Sequence, residues 1–319
     1  MVALFALLAA LFLAGNIGAN NAATSMAPAF GAGLWSRRRT LAIYAVAVVF
    51  GATIASHAVI RTLGTELVGG AIYEKPYLLP VVLAVAGLCL LAANLLGLPV
   101  STTHASVASI IGVGAAVGSV REEAVLRILV WWAVTPFAAL AASYLLGRLL
   151  YTRLLLSLYR LRGRNGSRKA FGAIITVTGA YVAFAAGANT AANSVGALVG
   201  GGLLASREAA WIAGLAMAGG GLLFGGRVLD TLAKKVTRIS LARAVVVEVV
   251  SGTVVLVSAL SGVPISLTAV VTFSILGLRL ARTAAAPDTE KAVPRILVAW
   301  AASPSAAFLL VYGLIALAR

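Results

Sequence analysis

The sequence predicts an all-α polytopic membrane protein with two inverted-topology repeats of about five hydrophobic segments each, and broken or re-entrant helices at the centre. Three observations predict this fold class. The 319-residue chain is 61% hydrophobic and 11% charged, with a mean hydropathy of +1.02. Soluble proteins are about 45–50% apolar and about 25% charged. The apolar runs approach the roughly 20 residues that cross a bilayer as a helix, and three motifs occur once in each half of the chain.

The apolar segments are predicted to be helices rather than strands of a barrel. The stretches from Thr40 to Val59 and from Pro80 to Leu98 are apolar on all sides, whereas barrel strands of about 10 residues alternate in polarity. Segments of this kind fill most of the chain. They cover about 2–33, 40–59, 77–96, 98–118 and 126–148 in the first half and about 171–203, 209–226, 244–262, 263–280 and 296–318 in the second.

The three motifs keep their order and nearly their spacing in the two halves. Their positions are 18–20 and 187–189 for Gly-Ala-Asn, 97–103 and 262–268 for a Gly-x-Pro-x-Ser-x-Thr pattern, and 132–136 and 300–304 for a Trp-Ala-x-x-Pro pattern. The offsets are 169, 165 and 168 residues. The chain is therefore interpreted as a first inverted repeat over residues 1–150, a basic cytoplasmic linker over 151–170 and a second inverted repeat over 171–319.

The basic residues indicate the orientation in the membrane. The net charge of +16 would suggest nucleic acid as a partner of a soluble protein. In a polytopic membrane protein, however, Lys and Arg gather in cytoplasmic loops. With the linker in the cytoplasm and five segments in each half, 19 of the 25 basic residues lie on the cytoplasmic side. This bias predicts a multi-pass protein of the plasma membrane with external termini and an inverted second half, and no nucleic-acid partner.

Two of the repeated motifs carry polar groups into apolar segments. Residues 15–25 hold several amides and hydroxyls, which a lipid-facing helix does not tolerate, so the sequence predicts that the first segment is broken or re-entrant there. In the second motif, Pro99 suits the first turn of a new helix, and hydroxyl residues follow it. A helix N-terminus carries roughly +0.5 of an elementary charge and free N–H groups, so it binds anions.

Two such helix starts, one from each inverted half, would face each other around a compact tetrahedral oxyanion. The alternative is that the small polar motifs only pack helices together. The predicted substrate-binding residues are Asn20, Asn21, Ser101, Thr102, Thr103, Asn189, Thr190, Asn193, Ser266 and Thr268.

These motifs resemble the signatures of the PiT inorganic phosphate transporter family, over nearly the whole chain. The residues that carry the resemblance are 15–21, 97–104 and 187–193. The resemblance implies an inverted-repeat helical transporter that moves phosphate together with sodium or protons, often as a homodimer or larger assembly. One departure matters. The Gly-Ala-Asn motif of that family usually continues with Asp in both halves, and this chain has Asn21 and Thr190 there.

The departure favours sulfate over phosphate. A carboxylate accepts a hydrogen bond from the proton that phosphate keeps near neutral pH, but it repels sulfate, which has no proton to donate; Asn and Thr can both donate. The residues 16–19, 23–26, 226–230 and 234–238 also resemble a CysP-type sulfate permease branch of the family. In the alternative, the family's Asp serves sodium, and its loss concerns only the coupling ion.

Two residues are candidates for coupling. Glu248 is the one acidic residue of nine that lies within a predicted span, and intramembrane carboxylates are functional candidates. Its alternative is an interfacial pair with Arg243. His104 is a second candidate proton carrier, or a donor to the anion. With Asn21 and Thr190 neutral, few side chains in the predicted spans offer the hard oxygen ligands that Na⁺ prefers, so a proton is favoured as the coupling ion. Sodium stays an alternative, because backbone carbonyls at helix breaks also bind it.

The function predicted from these features is secondary active symport of an inorganic oxyanion, with sulfate favoured. Phosphate symport is the alternative, and a passive anion channel ranks third. An enzyme is excluded because the spans hold a single carboxylate and one motif histidine. The sequence contains no metal-binding or nucleotide-binding motif, so we expect no metal and no cofactor. The expected partners are the oxyanion, the lipid bilayer and a second copy of the chain.

Thiol labelling from one side of the membrane tests the predicted topology. In a Cys89→Ser background, Ser167→Cys should react only with a cytoplasmic reagent, because the basic linker is predicted to lie there. A cysteine in place of Arg319 should react only from outside. Reaction of both cysteines from the same side would contradict the inverted-repeat topology.

Overall fold

The computed structural model describes residues 1–31, 35–95, 101–149, 151–236, 241–281 and 289–317. Within these ranges the chain is almost entirely helical, with a π-helical turn at Thr62–Glu66 and a 3₁₀ turn at Gly70–Ile72. The α-helices are α1 (Val2–Gly31), α2 (Arg37–Ala55), α3 (His57–Arg61), α4 (Leu78–Leu95), α5 (Thr102–Val117), α6 (Glu122–Leu149), α7 (Tyr151–Thr190), α8 (Ala192–Gly200), α9 (Ser206–Val236), α10 (Leu241–Leu260), α11 (Leu267–Leu280) and α12 (Thr289–Leu317).

The helices have the length and composition of membrane spans. Six helical stretches in the described residues are long and apolar enough to cross a bilayer, and they lie in α1, α2, α6, the end of α7 with α8, α9 and α10. Shorter apolar helices are found in α4, α5, α11 and the second half of α12. The all-α polytopic fold class is confirmed, and each predicted apolar segment corresponds to one of these helices or to α7 and α8 together.

The predicted break in the first segment is wrong. Helix α1 is continuous through residues 15–25. Several of its polar side chains find acceptors within the helix. Asn16 Nδ2 donates to the Phe12 carbonyl at 2.9 Å and Thr24 Oγ1 donates to the Asn20 carbonyl at 3.1 Å. The equivalent part of the second half has only a one-residue interruption, at Ala191 between α7 and α8.

The breaks lie at the second motif instead. After α10, Gly262 adopts a φ of +73°, which glycine tolerates without strain. The backbone then runs without helix to Ser266, the N-cap of α11. Ser266 has φ −83° and ψ 108°, and Ser101 before α5 has φ −82° and ψ 111°. The two helix starts are therefore nearly identical in conformation.

The predicted position of the motif proline is also corrected. Pro264 precedes the N-cap Ser266 by two residues and is not in the first turn of α11. The serine caps the helix because its hydroxyl accepts a hydrogen bond from a backbone N–H of the first turn, which a proline cannot replace. Pro99 lies outside the described residues.

The predicted linker is part of a helix. Residues 151–170 form the beginning of α7, although the Asn-Gly dipeptide at 165–166 favours a turn. The stretch is rich in Leu and Arg, which are good helix formers, and their summed propensity outweighs that of Gly163, Asn165 and Gly166.

The two halves pack against each other reciprocally. A methyl group on Gly18 of α1 would lie 2.0 Å from the Met217 carbonyl oxygen of α9, and one on Gly187 of α7 would lie 2.2 Å from the Val48 carbonyl oxygen of α2. Gly18 and Gly187 differ by 169 positions, and so do Val48 and Met217. Reciprocal contact between equivalent positions is what a two-fold relation produces.

A second set of contacts repeats this pattern. A methyl group on Gly112 of α5 would lie 2.8 Å from the Phe308 carbonyl oxygen of α12, and one on Gly277 of α11 would lie 2.2 Å from the Leu140 carbonyl oxygen of α6. The glycines differ by 165 positions and their partners by 168, the offsets of the sequence motifs. Each half therefore completes its core with helices of the other half.

An ion-pair cluster forms around Glu66, which lies outside the six membrane-spanning stretches. Glu66 contacts Arg127 of α6 at 2.7 Å and Arg61 of α3 at 2.9 Å. The hydrogen bond from Arg127 is the main reason that the pKa of the Glu66 carboxyl is lowered. Close by, Val68 and Val120 form a β-bridge. These contacts join the segment after α3 to the turn between α5 and α6.

Substitution of the reciprocal glycines tests the interlocked packing. Gly18→Ala and Gly187→Ala should each lower the free energy of unfolding by about 1–3 kcal/mol, because the added methyl overpacks a backbone contact. The measurement is the Tm in detergent. The control is Gly219→Ala in α9, where the added methyl has nothing within 4 Å, and alanine is the better helix former. Equal Tm values for Gly18→Ala and Gly219→Ala would contradict this account.

Candidate functional site

The centre of the candidate site is a hydrogen bond between the two halves. Asn21 Nδ2 of α1 donates to Thr190 Oγ1 at the end of α7, at 2.9 Å, and both residues are buried. The two positions are 169 residues apart, which is the repeat offset, so each is the counterpart of the other. The Thr190 hydroxyl in turn donates to the Ala186 carbonyl at 2.7 Å. Thr190 therefore has no hydrogen left to donate to an anion in this conformation.

Asn189 supports the helix break of the second half. Its Nδ2 donates to the Val263 carbonyl at 3.0 Å and to Ser258 Oγ at 3.3 Å, and its Oδ1 accepts from the Ile265 N–H at 3.0 Å. The side-chain amide thereby replaces the helical partners that the extended segment lacks. Asn189 was predicted to bind substrate, but here its donor and acceptor groups hold the backbone that leads into α11.

The first-half counterpart Asn20 lies against α4. Its Nδ2 donates to Asn94 Oδ1 at 3.2 Å, and Asn94 Nδ2 donates to the Asn16 carbonyl at 3.4 Å. Sequence reasoning missed Asn94. It lies three residues before the glycine-proline motif, and a polar side chain at the end of a long apolar run was the signal that could have revealed it.

The start of α5 meets the junction of α7 and α8. Ser101 Oγ accepts from the His104 N–H at 3.1 Å, and Asn193 Nδ2 donates to Thr103 Oγ1 at 3.2 Å. Thr102 beside them is buried. Asn193 Oδ1 is buried and has no hydrogen-bond partner among the described residues. The predicted residues of this group are therefore brought together, with one polar atom unsatisfied.

The start of α11 has the same capping arrangement. Ser266 Oγ accepts from the Ala269 N–H at 3.1 Å, and Thr268 is half-buried in the first turn. Because the cap uses only the serine oxygen as an acceptor, the hydroxyl hydrogen can still be donated. The first backbone N–H groups of each helix have no intrahelical acceptor.

Trp132 connects the two helix starts. Its Nε1 donates to the Pro264 carbonyl ahead of α11 at 2.8 Å, and its ring lies 4.0 Å from the His104 ring in α5. In the sequence, Trp132 is recognisable only as a marker of the repeat. Its duplication at position 300 next to a proline motif was the available signal for a structural role.

Glu248 of α10 lies apart from this centre. It is 3% exposed, and its Oε2 accepts a hydrogen bond from Thr178 Oγ1 of α7. Its Oε1 has no hydrogen-bond partner among the described residues, and neither does the buried Ser25 Oγ of α1. Thr178 and Thr190 are twelve residues apart, which is about 18 Å along a helix. Glu248 is thus buried in the protein, and its partner Thr178 lies more than three helical turns before Thr190 on α7.

The environment suits an anion without a buried cation. The named polar groups at the two helix starts are amides and hydroxyls, and their helix dipoles direct partial positive charge into the space beside them. No group of three or more His, Cys, Asp or Glu able to hold a metal ion is found among the residues that the structure describes.

Comparison with known proteins places these features in one family. The model of the phosphate transporter family matches residues 17–311. The sulfate permease CysP of Bacillus subtilis is 33% identical to this chain, and the alignment covers 98% of the chain and 87% of the permease. A Pyrococcus furiosus protein provisionally named a phosphate permease is 26% identical, over 94% of the chain and 92% of that protein.

A solved structure supports the fold independently. The structure titled the sodium-dependent phosphate transporter superposes with a TM-score of 0.82 and covers 100% of both chains, at 22% sequence identity. The matching relatives are permeases, so the chain is a multi-pass membrane transporter of an inorganic anion and not an enzyme. By the extent of the family match and of the identity to the sulfate permease, the chain belongs to the phosphate transporter family.

Proposed function

We propose that the chain is a symporter of a tetrahedral oxyanion, with sulfate as the favoured substrate, driven by a proton or a sodium gradient. It acts in the plasma membrane, with the repeats inverted, both termini outside and the basic stretch 151–170 in the cytoplasm, as a homodimer. The observation that carries the sulfate proposal is the neutral hydrogen bond between Asn21 and Thr190, where the family resemblance implies carboxylates. Phosphate symport is the second candidate.

The protonation state of the anion is the basis of the preference. Near neutral pH phosphate keeps a proton and sulfate does not, so a carboxylate beside the anion favours phosphate and an amide donor favours sulfate. Asn21 Nδ2 uses one of its two hydrogens for Thr190, and the other remains for an anion. The name of the Bacillus subtilis relative, a sulfate permease, agrees with this preference.

The two capped helix starts supply the remaining donors. Free N–H groups at the beginnings of α5 and α11 and the hydroxyl hydrogens of Ser101 and Ser266 can replace the water that sulfate loses. Hydrogen bonds to a charged group contribute about 1.5–3 kcal/mol each. Thr102, Thr103 and Thr268 lie in the same first turns. In this proposal Asn20 and Asn189 position the backbone. Asn193 contacts the start of α5 through Thr103, and its unpaired Oδ1 can accept a new hydrogen bond when this helix start moves.

Coupling is assigned to Glu248. A buried carboxylate with one unpaired oxygen is a proton acceptor that can change its charge during transport, and the same oxygen suits Na⁺, since hard cations prefer oxygen ligands. A methyl group placed on Gly179 would lie 3.5 Å from Glu248 Oε1 and 3.3 Å from the Ser25 carbonyl oxygen. These oxygens face the contact of α1 with α7. The similar solved structure is titled sodium-dependent, which keeps sodium as an alternative. His104 is the second candidate proton carrier.

Uptake into proteoliposomes tests symport and coupling. With an inward gradient of the coupling cation, radiolabelled sulfate should accumulate above its equilibrium level, and proton and sodium gradients are imposed separately to identify the cation. Glu248→Gln should abolish accumulation but still bind sulfate, because the Glu248 carboxylate hydrogen-bonds to Thr178 and to none of the proposed anion-binding side chains among the described residues. Glu123→Gln, at an exposed position in α6, serves as the control. Flux that ignores both gradients would contradict symport and indicate a channel.

Acidic substitutions at the repeat axis test the selectivity. Asn21→Asp should weaken sulfate binding by about tenfold or more, through the loss of one hydrogen bond to a charged group. Thr190→Asp should weaken it through repulsion between the new carboxylate and the fully ionised anion. Both variants should weaken phosphate binding less. Competition binding with both anions near neutral pH is the measurement. Thr65→Asp, in the exposed turn after α3, controls for added negative charge. If the sulfate-to-phosphate preference stays constant in both variants, positions 21 and 190 do not select the anion.

A further inference from the structure

An apolar groove lies between α5, α6 and α12, outside the candidate anion site. Its volume is about 580 Å³, within the roughly 300–1,000 Å³ of small-molecule sites. The residues that define it include Ala108, Ile111, Leu129, Trp132, Ser305 and Phe308. Around it, Leu126 is 62% exposed and Leu309 is 64% exposed. Helices α5, α6 and α12 have the apolar composition of membrane helices, so the groove opens toward lipid.

The equivalent place in the other half of the molecule carries two aromatic rings. At the repeat offset of 165, Ala108 of α5 corresponds to Phe273 of α11, and at the offset of 168, Ser305 of α12 corresponds to Phe137 of α6. The rings of Phe137 and Phe273 contact each other edge to face, with centroids 5.3 Å apart. At the groove, the side chains of Ala108 and Ser305 are a methyl and a hydroxymethyl group. At the equivalent positions of the other half, Phe273 and Phe137 carry phenyl rings.

An apolar filler is expected in this groove for the same physical reason that the phenyl rings occupy its counterpart. Atoms that line an empty apolar space lose dispersion contacts, and interiors close such spaces. Water does not fill it favourably, because the lining offers only the Ser305 hydroxyl and the Trp132 indole N–H, and the indole already donates to the Pro264 carbonyl. A groove that opens to the bilayer is in contact with lipid hydrocarbon, which is therefore the expected occupant.

We propose that this groove binds an acyl chain of a bilayer lipid, which takes the place that the Phe137–Phe273 contact fills in the other half. A chain suits the site better than the flat surface of a second copy, because a stable dimer needs about 1,000 Å² or more of complementary surface and this site is a concave cleft between three helices. Bilayer hydrocarbon is as apolar as leucine. The bound chain is therefore held by shape, and it exchanges with other lipids more slowly than lipid on a flat helix face.

The groove also reaches the residues around the anion site. Trp132 forms part of its wall, donates to the Pro264 carbonyl and contacts the His104 ring. A bound acyl chain thus contacts a side chain that touches the starts of both α5 and α11. This proposal concerns lipid binding and holds whichever anion and cation the protein carries.

Photo-crosslinking with the full-length chain in proteoliposomes tests the proposal. The probe is a phosphatidylglycerol with a diazirine in one acyl chain, and cross-linked residues are mapped by mass spectrometry. Labelling of Ile111 and Leu129 should exceed labelling of Leu223, a 76% exposed residue of α9. In Ala108→Phe/Ser305→Phe, groove labelling should fall by about fivefold or more, since two phenyl rings exclude the chain, and Leu223 labelling should stay unchanged.

The reverse variant keeps the test informative if the filled variant folds poorly. Phe137→Ser/Phe273→Ala should open an equivalent groove and increase labelling of Leu140. Groove labelling no higher than that of Leu223, or unchanged by filling the groove, would overturn the proposal. Cross-linking between copies through Leu129→Cys in a Cys89→Ser background would overturn it as well, because a second copy would then cover the groove. None of these measurements involves transport, so their failure is separate from failure of the proposed symport.

Discussion

Hydrocarbon offers no hydrogen-bond partner, and this constraint decides where the backbone of this protein can leave the helix. The extended segment before α11 exists because Asn189 donates to the Val263 carbonyl and accepts from the Ile265 N–H. Serine caps then satisfy part of the first turn, at Ser266 and at Ser101. An amide side chain from one helix thus allows the break in another, and the break creates the free N–H groups that an anion can use.

The same constraint explains the glycine contacts. Amide and hydroxyl groups from separate helices reach each other only where the backbones approach closely, and small residues permit this approach. Gly18 in α1 and Gly187 in α7 lie within one turn of Asn21 and Thr190 in the sequence. The close contact of Gly18 with α9 and of Gly187 with α2 therefore fixes the two helices that form the central hydrogen bond. The same glycines therefore determine both the packing of α1 and α7 and the hydrogen bond between Asn21 and Thr190.

Local patterns in the sequence predict the all-α fold, the matching segments and the residue types of the site, because each depends on composition and on repeated motifs. They mispredict α1, whose amides suggested a break, because the partner of Asn21 is 169 positions away. Trp132 and Asn94 were missed for the same reason, since their partners lie in other helices. In a two-fold repeat, equivalent positions near the symmetry axis are expected to contact each other. Asn21 and Thr190 are such a pair, so their contact could have been predicted from the repeat.

Residues that recur in both repeats support the fold, and residues that differ between the repeats are candidates for function. The glycines and the capping serines recur in both halves, and they hold the helices and the breaks. Glu248 has Leu83 at its equivalent position, at the offset of 165, so the buried carboxylate occurs on one side of the pseudo-symmetric core only. A single ionisable group without a counterpart in the other half does not stabilise two conformations related by the repeat equally. In the proposed symport, protonation of Glu248 or cation binding to it biases one conformation over the other, which is the asymmetry that coupled transport requires of a duplicated fold.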